Sequence, residues 1–149
     1  LATAAELLLA EHEVEHARLS TMRDAFEREL RARVPDVIIH AAGAARAPHI
    51  TSISIPGTSS ESMLMALDLR GIACSAGSAC QSGSVSASHV LAAMGVAPDV
   101  AGAALRLSFG CLSTDACVQR TLDVLTTLAE KSRVGKAAST ACAFTPIEF

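Results

Sequence analysis

One long stretch near the start of the chain, "AAELLLAEHEVEHARLSTMRDAFERELRARV", limits the fold more than any other feature. Leu19, Met22, Phe26 and Leu30 recur in it at helical spacing, so they share one stripe of an α-helix. Pro35 ends the pattern, because proline disfavours a helical conformation in the preceding residue and cannot donate the next backbone hydrogen bond. The sequence therefore predicts a long helix that buries one face against other elements.

Two strands and a second helix are predicted to follow. The segment 37–40, "VIIH", is typical of a buried strand, and the β-branched alternation of "ITSISI" at 50–55 favours another. Thr58 and Glu61 have the spacing of a capping box ahead of "SMLMALDLR". Gly71 lies where a helix C-cap belongs. The predicted order so far is helix, strand, strand, helix.

The alternation continues in the second half of the chain. We expect "GIACS" at 71–75 to form a short strand that leads into a loop. "SHVLAAMG" predicts a short helix, capped by Ser88 or Ser86 and ended by Gly95. In "ALRLSFG" at 104–110, apolar residues alternate with polar ones, so this strand should bury one face and present Arg106 on the other.

The last predicted element is the helix "STDACVQRTLDVLTTLAEKSR", which we expect Ser113 to cap. Its apolar stripe consists of Val118, Leu122, Leu125 and Ala129. Beyond Gly135 we expect a loosely held tail. Helices and strands that alternate without an internal repeat predict an α/β (α+β) fold, a small sheet packed against helices.

Composition narrows the class of function. The 149 residues are half hydrophobic, 3% aromatic and carry a net charge of −3, which argues against nucleic-acid binding. No apolar run has the length of a membrane span, and we expect a soluble, cytoplasmic chain. The five cysteines include no C-x-x-C spacing, so neither a disulfide framework nor a zinc site is predicted.

The segment "CSAGSACQSGSVSASHV" raises the question of what its two thiols do. Cys74 follows an apolar stretch and is predicted to pack in the core as a small hydrophobic residue. Cys80 lies among serine, glycine and alanine, which offer no apolar pocket. An accessible nucleophile and an idle loop cysteine both fit that setting.

The order of several motifs resembles one known family. "SAGSACQSGS", then "SHVLAAMG", then "LRLSFG" is similar to the active-site region of cysteine desulfurases of the NifS/IscS type, which belong to the class V aminotransferases. Upstream, "RAPHITSISI" and "ESMLMALDLRGIACS" resemble that family's preceding strand and helix. The likeness runs over residues 1–133. It implies the small C-terminal domain of a fold type I enzyme that depends on pyridoxal phosphate, over residues 1–135, with a tail at 136–149.

The resemblance also implies roles for two residues. Cys80 would be the nucleophile that takes sulfur from L-cysteine as a persulfide, releasing L-alanine. Arg106 would bind the substrate carboxylate; from the residues alone, a surface salt bridge is the other interpretation. The family further implies a homodimer, and a sulfur acceptor such as an iron–sulfur scaffold protein.

The cofactor is expected to bind mainly outside this chain. The only lysines, Lys131 and Lys136, lie in no context that resembles the family's cofactor segment, so we assign no cofactor-binding residue here. The chain begins at Leu1 without methionine, and we expect a later part of a longer protein that is inactive by itself.

Three positions depart from the family pattern: Ala76, His49 and Cys111 replace its serine, asparagine and arginine. His49 and Cys111 keep open an interaction domain without catalysis, and a thiol or persulfide relay without cofactor chemistry is a further alternative. We interpret His89 as a helix-start residue. His12 and His16 have the spacing of metal ligands on a helix, but a solvated face explains them better.

Overall fold

The computed structural model describes residues 2–76 and 88–141. The helices are α1 (Ala2–Arg33), α2 (Ser60–Asp68), α3 (His89–Ala93), α4 (Pro98–Ala101) and α5 (Asp115–Ala141). The strands are β1 (Ile38–Ile39), β2 (Ile50–Ser54) and β3 (Ala104–Ser108). They form an antiparallel sheet in the order β1-β2-β3. The predicted α/β (α+β) fold, a small sheet against helices, is confirmed.

The sheet differs from expectation at its two ends. β1 is only two residues long, and Ile38 is partly exposed, because a short edge strand buries one face alone. The segment "GIACS" forms no strand of its own. Within this segment only Ser75 pairs with β3, as a single bridge to Arg106. The Ser75 amide donates to the Arg106 carbonyl at 3.0 Å, and the Arg106 amide donates to the Ser75 carbonyl at 2.6 Å.

The two long helices pack their apolar stripes on one face of the sheet. The stripe of α1 is buried as predicted: Leu19, Met22, Phe26 and Leu30. So is the stripe of α5: Val118, Leu122, Leu125 and Ala129. Between them lie side chains from the sheet, such as Ile53 and Leu105, and residues of α2. This single cluster is the main core, and the opposite face of the sheet lies outside it.

Two short helices cover part of that second face. Leu91 of α3 and Ala101 of α4 pack on Ala104, with Val96 at the margin. Helix α4 was not predicted; it is a single turn that begins at Pro98, where proline suits the first helical position. Because α3 and α4 reach only one end of the sheet, they leave the middle of the face open.

Helix ends follow the predicted chemistry with shifts of one residue. Ser59, not Thr58, caps α2: its hydroxyl accepts from the Ser62 amide, while the Thr58 hydroxyl donates to the Ile55 carbonyl. Likewise Thr114, not Ser113, accepts from the Cys117 amide at the start of α5. A side chain can turn to either neighbouring backbone group, and spacing alone does not decide between them.

The C-terminal caps and the cap of α3 are as predicted. Ser88 caps α3, and Gly71 and Gly95 adopt positive φ of 71° and 76° after α2 and α3. At α3, the Val96 amide donates back to the Leu91 carbonyl, which closes the helix in the usual glycine motif.

The last helix runs further than expected. Its backbone continues past Gly135 to Ala141. Arg33 at the end of α1 joins the two long helices by donating to Asp123 and Gln119. Within the described ranges, no helix is long and apolar enough to cross a membrane.

Candidate functional site

A cleft of about 460 Å³ opens on the second face of the sheet. Its floor consists of β2 and β3 residues that point away from the core, including Ser52 and Arg106. One wall is the loop after β1, and the other is α3. The cleft therefore lies where the sheet is left uncovered by α3 and α4.

Arg106 stands on the floor of this cleft. The neighbouring Leu105 and Leu107 are buried in the core, so the strand alternation turns Arg106 to the opposite, exposed side, as predicted. Ser52 is its partner across the antiparallel pair. In the described part of the chain, the guanidinium makes no hydrogen bond or ion pair. Such a free planar fork suits bidentate binding of a carboxylate.

The described residues on either side of the segment that contains Cys80 lie at or beside this cleft. Ser75 is hydrogen-bonded to the backbone of Arg106, and Ser88 lines the cleft at the start of α3. Cys80 itself lies outside the described residues.

A second arginine on the loop wall has a very different setting. Arg46 donates two hydrogen bonds to the Glu27 carboxylate, at 2.6 and 2.8 Å, and the Thr51 hydroxyl donates a third at 2.6 Å. Burial alone would raise the pKa of Glu27, but these hydrogen bonds and the Arg46 charge outweigh it and hold the pKa below the usual value. Glu27 therefore stays ionised and Arg46 stays occupied.

His40 is another polar group at the cleft. It is buried, and its Nε2 lies 2.7 Å from the Ser54 hydroxyl. Burial lowers the pKa of the imidazole, because the charged form loses its water. The following residue, Ala41, has a positive φ of 54°, which is uncommon for alanine. His40 is thus a neutral hydrogen-bonding group under neutral conditions.

We assign no functional site to the other histidines that the sequence singled out. His89 is the first residue of α3 and is exposed at the rim of the cleft, in keeping with a helix-start residue. His49 is exposed, and its backbone carbonyl accepts from the Phe109 amide. His12 and His16 have ring centroids 5.7 Å apart on a solvated face of α1. Among the described residues, no group of three or more His, Cys, Asp or Glu side chains could hold a metal ion.

Three described cysteines are free thiols. Cys74 packs against the main core, and burial, together with the charge of Asp68, raises its pKa, which confirms the core assignment. Cys111 and Cys117 are exposed. A hydrogen bond from the Thr114 hydroxyl lowers the pKa of Cys117, a feature that its sequence context did not reveal.

The described lining of the cleft lacks groups that a pyridoxal phosphate site requires. None of the described residues that line it is a lysine or a carboxylate. Lys131 lies exposed on α5, the helix that packs on the other face of the sheet. The residues present therefore do not make a complete site for this cofactor, and we assign no step through it to this chain.

Fold and motifs together define an aminotransferase-type domain, and comparison with known proteins agrees. The family model described as aminotransferase class-V matches residues 1–121, so the chain belongs to the class V aminotransferase family. Curated proteins similar to this chain include cysteine desulfurases. Cysteine desulfurase IscS of Dictyoglomus turgidum is 38% identical over 130 residues, which are 87% of this chain and 33% of that protein. The resemblance noted in the sequence is confirmed.

A second relative and a solved structure extend this result. A cysteine desulfurase of Sinorhizobium fredii is 39% identical over 133 residues, 89% of this chain and 34% of the relative. An X-ray structure of a NifS-like protein from Rickettsia africae matches with a TM-score of 0.75 and 25% identity, covering 86% of this chain and 32% of that one. The chain thus spans about a third of the length of the proteins it matches.

Proposed function

We propose that this chain is the C-terminal part of a cysteine desulfurase that removes sulfur from L-cysteine and holds it as a persulfide on Cys80. The observation that carries the proposal is Arg106, which lies on the floor of a cleft, has no polar side-chain partner among the described residues and is paired through its backbone with Ser75. L-Cysteine carries one carboxylate, which such a fork binds with two parallel hydrogen bonds. The cysteine desulfurase names of the relatives supply the reaction class.

The chemistry can be divided between this chain and the remainder of the protein. Arg106 binds and orients the carboxylate. The Cys80 thiolate then bonds to the sulfur of L-cysteine as the substrate carbon–sulfur bond breaks. That bond's electron pair goes to the substrate carbon, which takes up a proton, so the products are L-alanine and the persulfide. Pyridoxal phosphate would be held by the remainder of the protein and would supply the electron sink for this cleavage.

Several further features complete the proposal. The remainder of the protein contributes the cofactor lysine, so this chain alone is inactive. The parent is a cytoplasmic homodimer, as its family suggests. The acceptor of the sulfur is an iron–sulfur scaffold protein or a thiolation pathway.

The deciding experiment locates the sulfur. The full-length parent, loaded with pyridoxal phosphate, is given L-cysteine and digested, and peptide mass spectrometry identifies which of the five cysteines gains a sulfur atom. We expect it on Cys80, removable by reductant and absent in Cys80→Ser. The exposed Cys111→Ser provides a matched control that should keep the modification.

Other results separate the alternatives. An unmodified Cys80 in the cofactor-loaded enzyme contradicts the proposal. Sulfur that reaches Cys80 only from another protein's persulfide, and never from L-cysteine, would instead identify a relay.

A further inference from the structure

The two arginines of the cleft differ in what balances their charge. Arg46 is held by Glu27, a carboxylate that is only 4% exposed, through the bidentate contact described above. Arg106 makes no polar side-chain contact within the described ranges. One cleft thus contains one neutralised and one uncompensated guanidinium.

The surroundings of Arg46 are charge-balanced as well. Arg23 pairs with Asp24 at 2.8 Å on the same helix as Glu27, and it donates to the Ala47 carbonyl of the loop wall at 2.8 Å. The charges of the two ion pairs, Arg46–Glu27 and Arg23–Asp24, therefore cancel at this wall. Of the described residues that line the cleft, none is a carboxylate. The net positive charge that a ligand meets there comes from Arg106.

We propose that Glu27 is a specificity-determining residue: by neutralising Arg46, it restricts the cleft to ligands with a single carboxylate. This inference rests on the proposed role of Arg106. A single carboxylate pairs with the Arg106 guanidinium and neutralises its charge. The second carboxylate of a dicarboxylate would lose water without gaining a cation, and burying an unpaired charge is unfavourable.

The test replaces the carboxylate and keeps its shape. In Glu27→Gln, the remaining oxygen still accepts from Arg46 and Thr51, while the charge of Arg46 is released toward the cleft. We would measure dissociation constants of L-alanine and L-aspartate for the full-length protein by calorimetry at pH 8, where imidazoles are largely neutral. The ratio of the L-aspartate constant to the L-alanine constant should fall about three- to tenfold.

Three further variants serve as controls for the Glu27→Gln measurement. Glu29→Gln removes the same charge from the same helix, but its partner Arg33 lies away from the cleft, so the ratio should not change. The double variant Glu27→Gln/Arg46→Gln restores neutrality and should restore the wild-type ratio. Arg46→Gln alone leaves an extra negative charge and should raise the ratio.

The outcomes are distinct. An unchanged ratio in folded Glu27→Gln overturns the inference. If Glu27→Gln does not fold, Arg46→Gln and the double variant decide, and an unchanged ratio in Arg46→Gln overturns it equally. Loss of binding of both amino acids in Arg106→Ala supports the premise. Undiminished binding in Arg106→Ala would instead overturn the role proposed for Arg106, which separates the two failures, because neither measurement requires desulfurase activity.

Discussion

At the scale of single residues, Arg106 and Arg46 differ in how far the sequence reveals them. Arg106 sits in an alternating strand, so period-two spacing alone places it opposite the core. The partner of Arg46 could not be predicted, because Glu27 comes from a helix nineteen positions earlier and meets it only in the folded chain. A buried ion pair between distant residues is a tertiary feature, so no local sequence pattern predicts it.

Arg106 provides the prediction at this scale. Arg106→Ala in the cofactor-loaded parent should lower kcat/KM for L-cysteine about 10- to 200-fold, mainly through KM, because charge-assisted hydrogen bonds to the carboxylate are lost in both ground and transition states. Arg106→Lys keeps the charge but not the fork and should be intermediate. Steady-state kinetics would check this.

Arg120→Ala is the matched control, since Arg120 donates to the Arg70 carbonyl and does not line the cleft. Equal losses in Arg106→Ala and Arg120→Ala would contradict a specific carboxylate contact.

At the scale of helices and strands, the main elements follow from the sequence, but their exact ends do not. The stripes of α1 and α5 were predicted residue by residue, because helical periodicity repeats over many turns. The caps at Thr58 and Ser113 were wrong by one position, because each of these hydroxyls bonds to a different backbone group and the next residue caps the helix. Glycine ends were more predictable, because only a left-handed conformation permits the closing bonds.

The end of α3 yields a prediction about stability. Gly95 has a positive φ of 76°, and an added methyl group there would meet no atom within 4 Å, so any cost is backbone strain alone. Gly95→Ala should therefore lower the free energy of unfolding by about 1 to 2 kcal/mol. Urea titration monitored by circular dichroism would measure it.

Gly43→Ala is its matched comparison. Gly43 is equally open but lies outside the left-handed region. That substitution should leave stability unchanged or slightly raise it. A similar loss in both variants would show that the φ of Gly95 is not what matters.

At the scale of the whole molecule, the α/β (α+β) arrangement was predictable, whereas the way the second face of the sheet is covered was not. Helix α4 was not predicted, because one turn has no periodicity. The strand predicted at "GIACS" is a single bridge, because the residue types of a segment do not show whether a neighbouring strand is available.

Burial of His40 makes stability depend on pH. Its pKa in the folded chain lies below the ordinary value of 6.5, so the unfolded chain binds more protons just below that pH. The free energy of unfolding should therefore fall as the pH drops from 7.5 to 5.5. Denaturant titrations at both values would reveal the loss.

Two glutamine substitutions distinguish the source. His40→Gln keeps a hydrogen-bonding nitrogen near Ser54 and should flatten the dependence over this range. The exposed His16→Gln should not. A slope that persists unchanged in His40→Gln would show that another group titrates.

The backbone pairing of Ser75 with Arg106 sets a limit on distance. Cys80 follows Ser75 by five positions, and an extended residue spans at most about 3.5 Å, so the backbone at Cys80 stays within roughly 18 Å of that bond. Under the proposed function, sulfur on Cys80 could pass only to an acceptor that docks within about this distance. Each residue inserted between Ser75 and Cys80 would widen this radius by about 3.5 Å, so the proposal predicts that chain length sets the range of sulfur transfer.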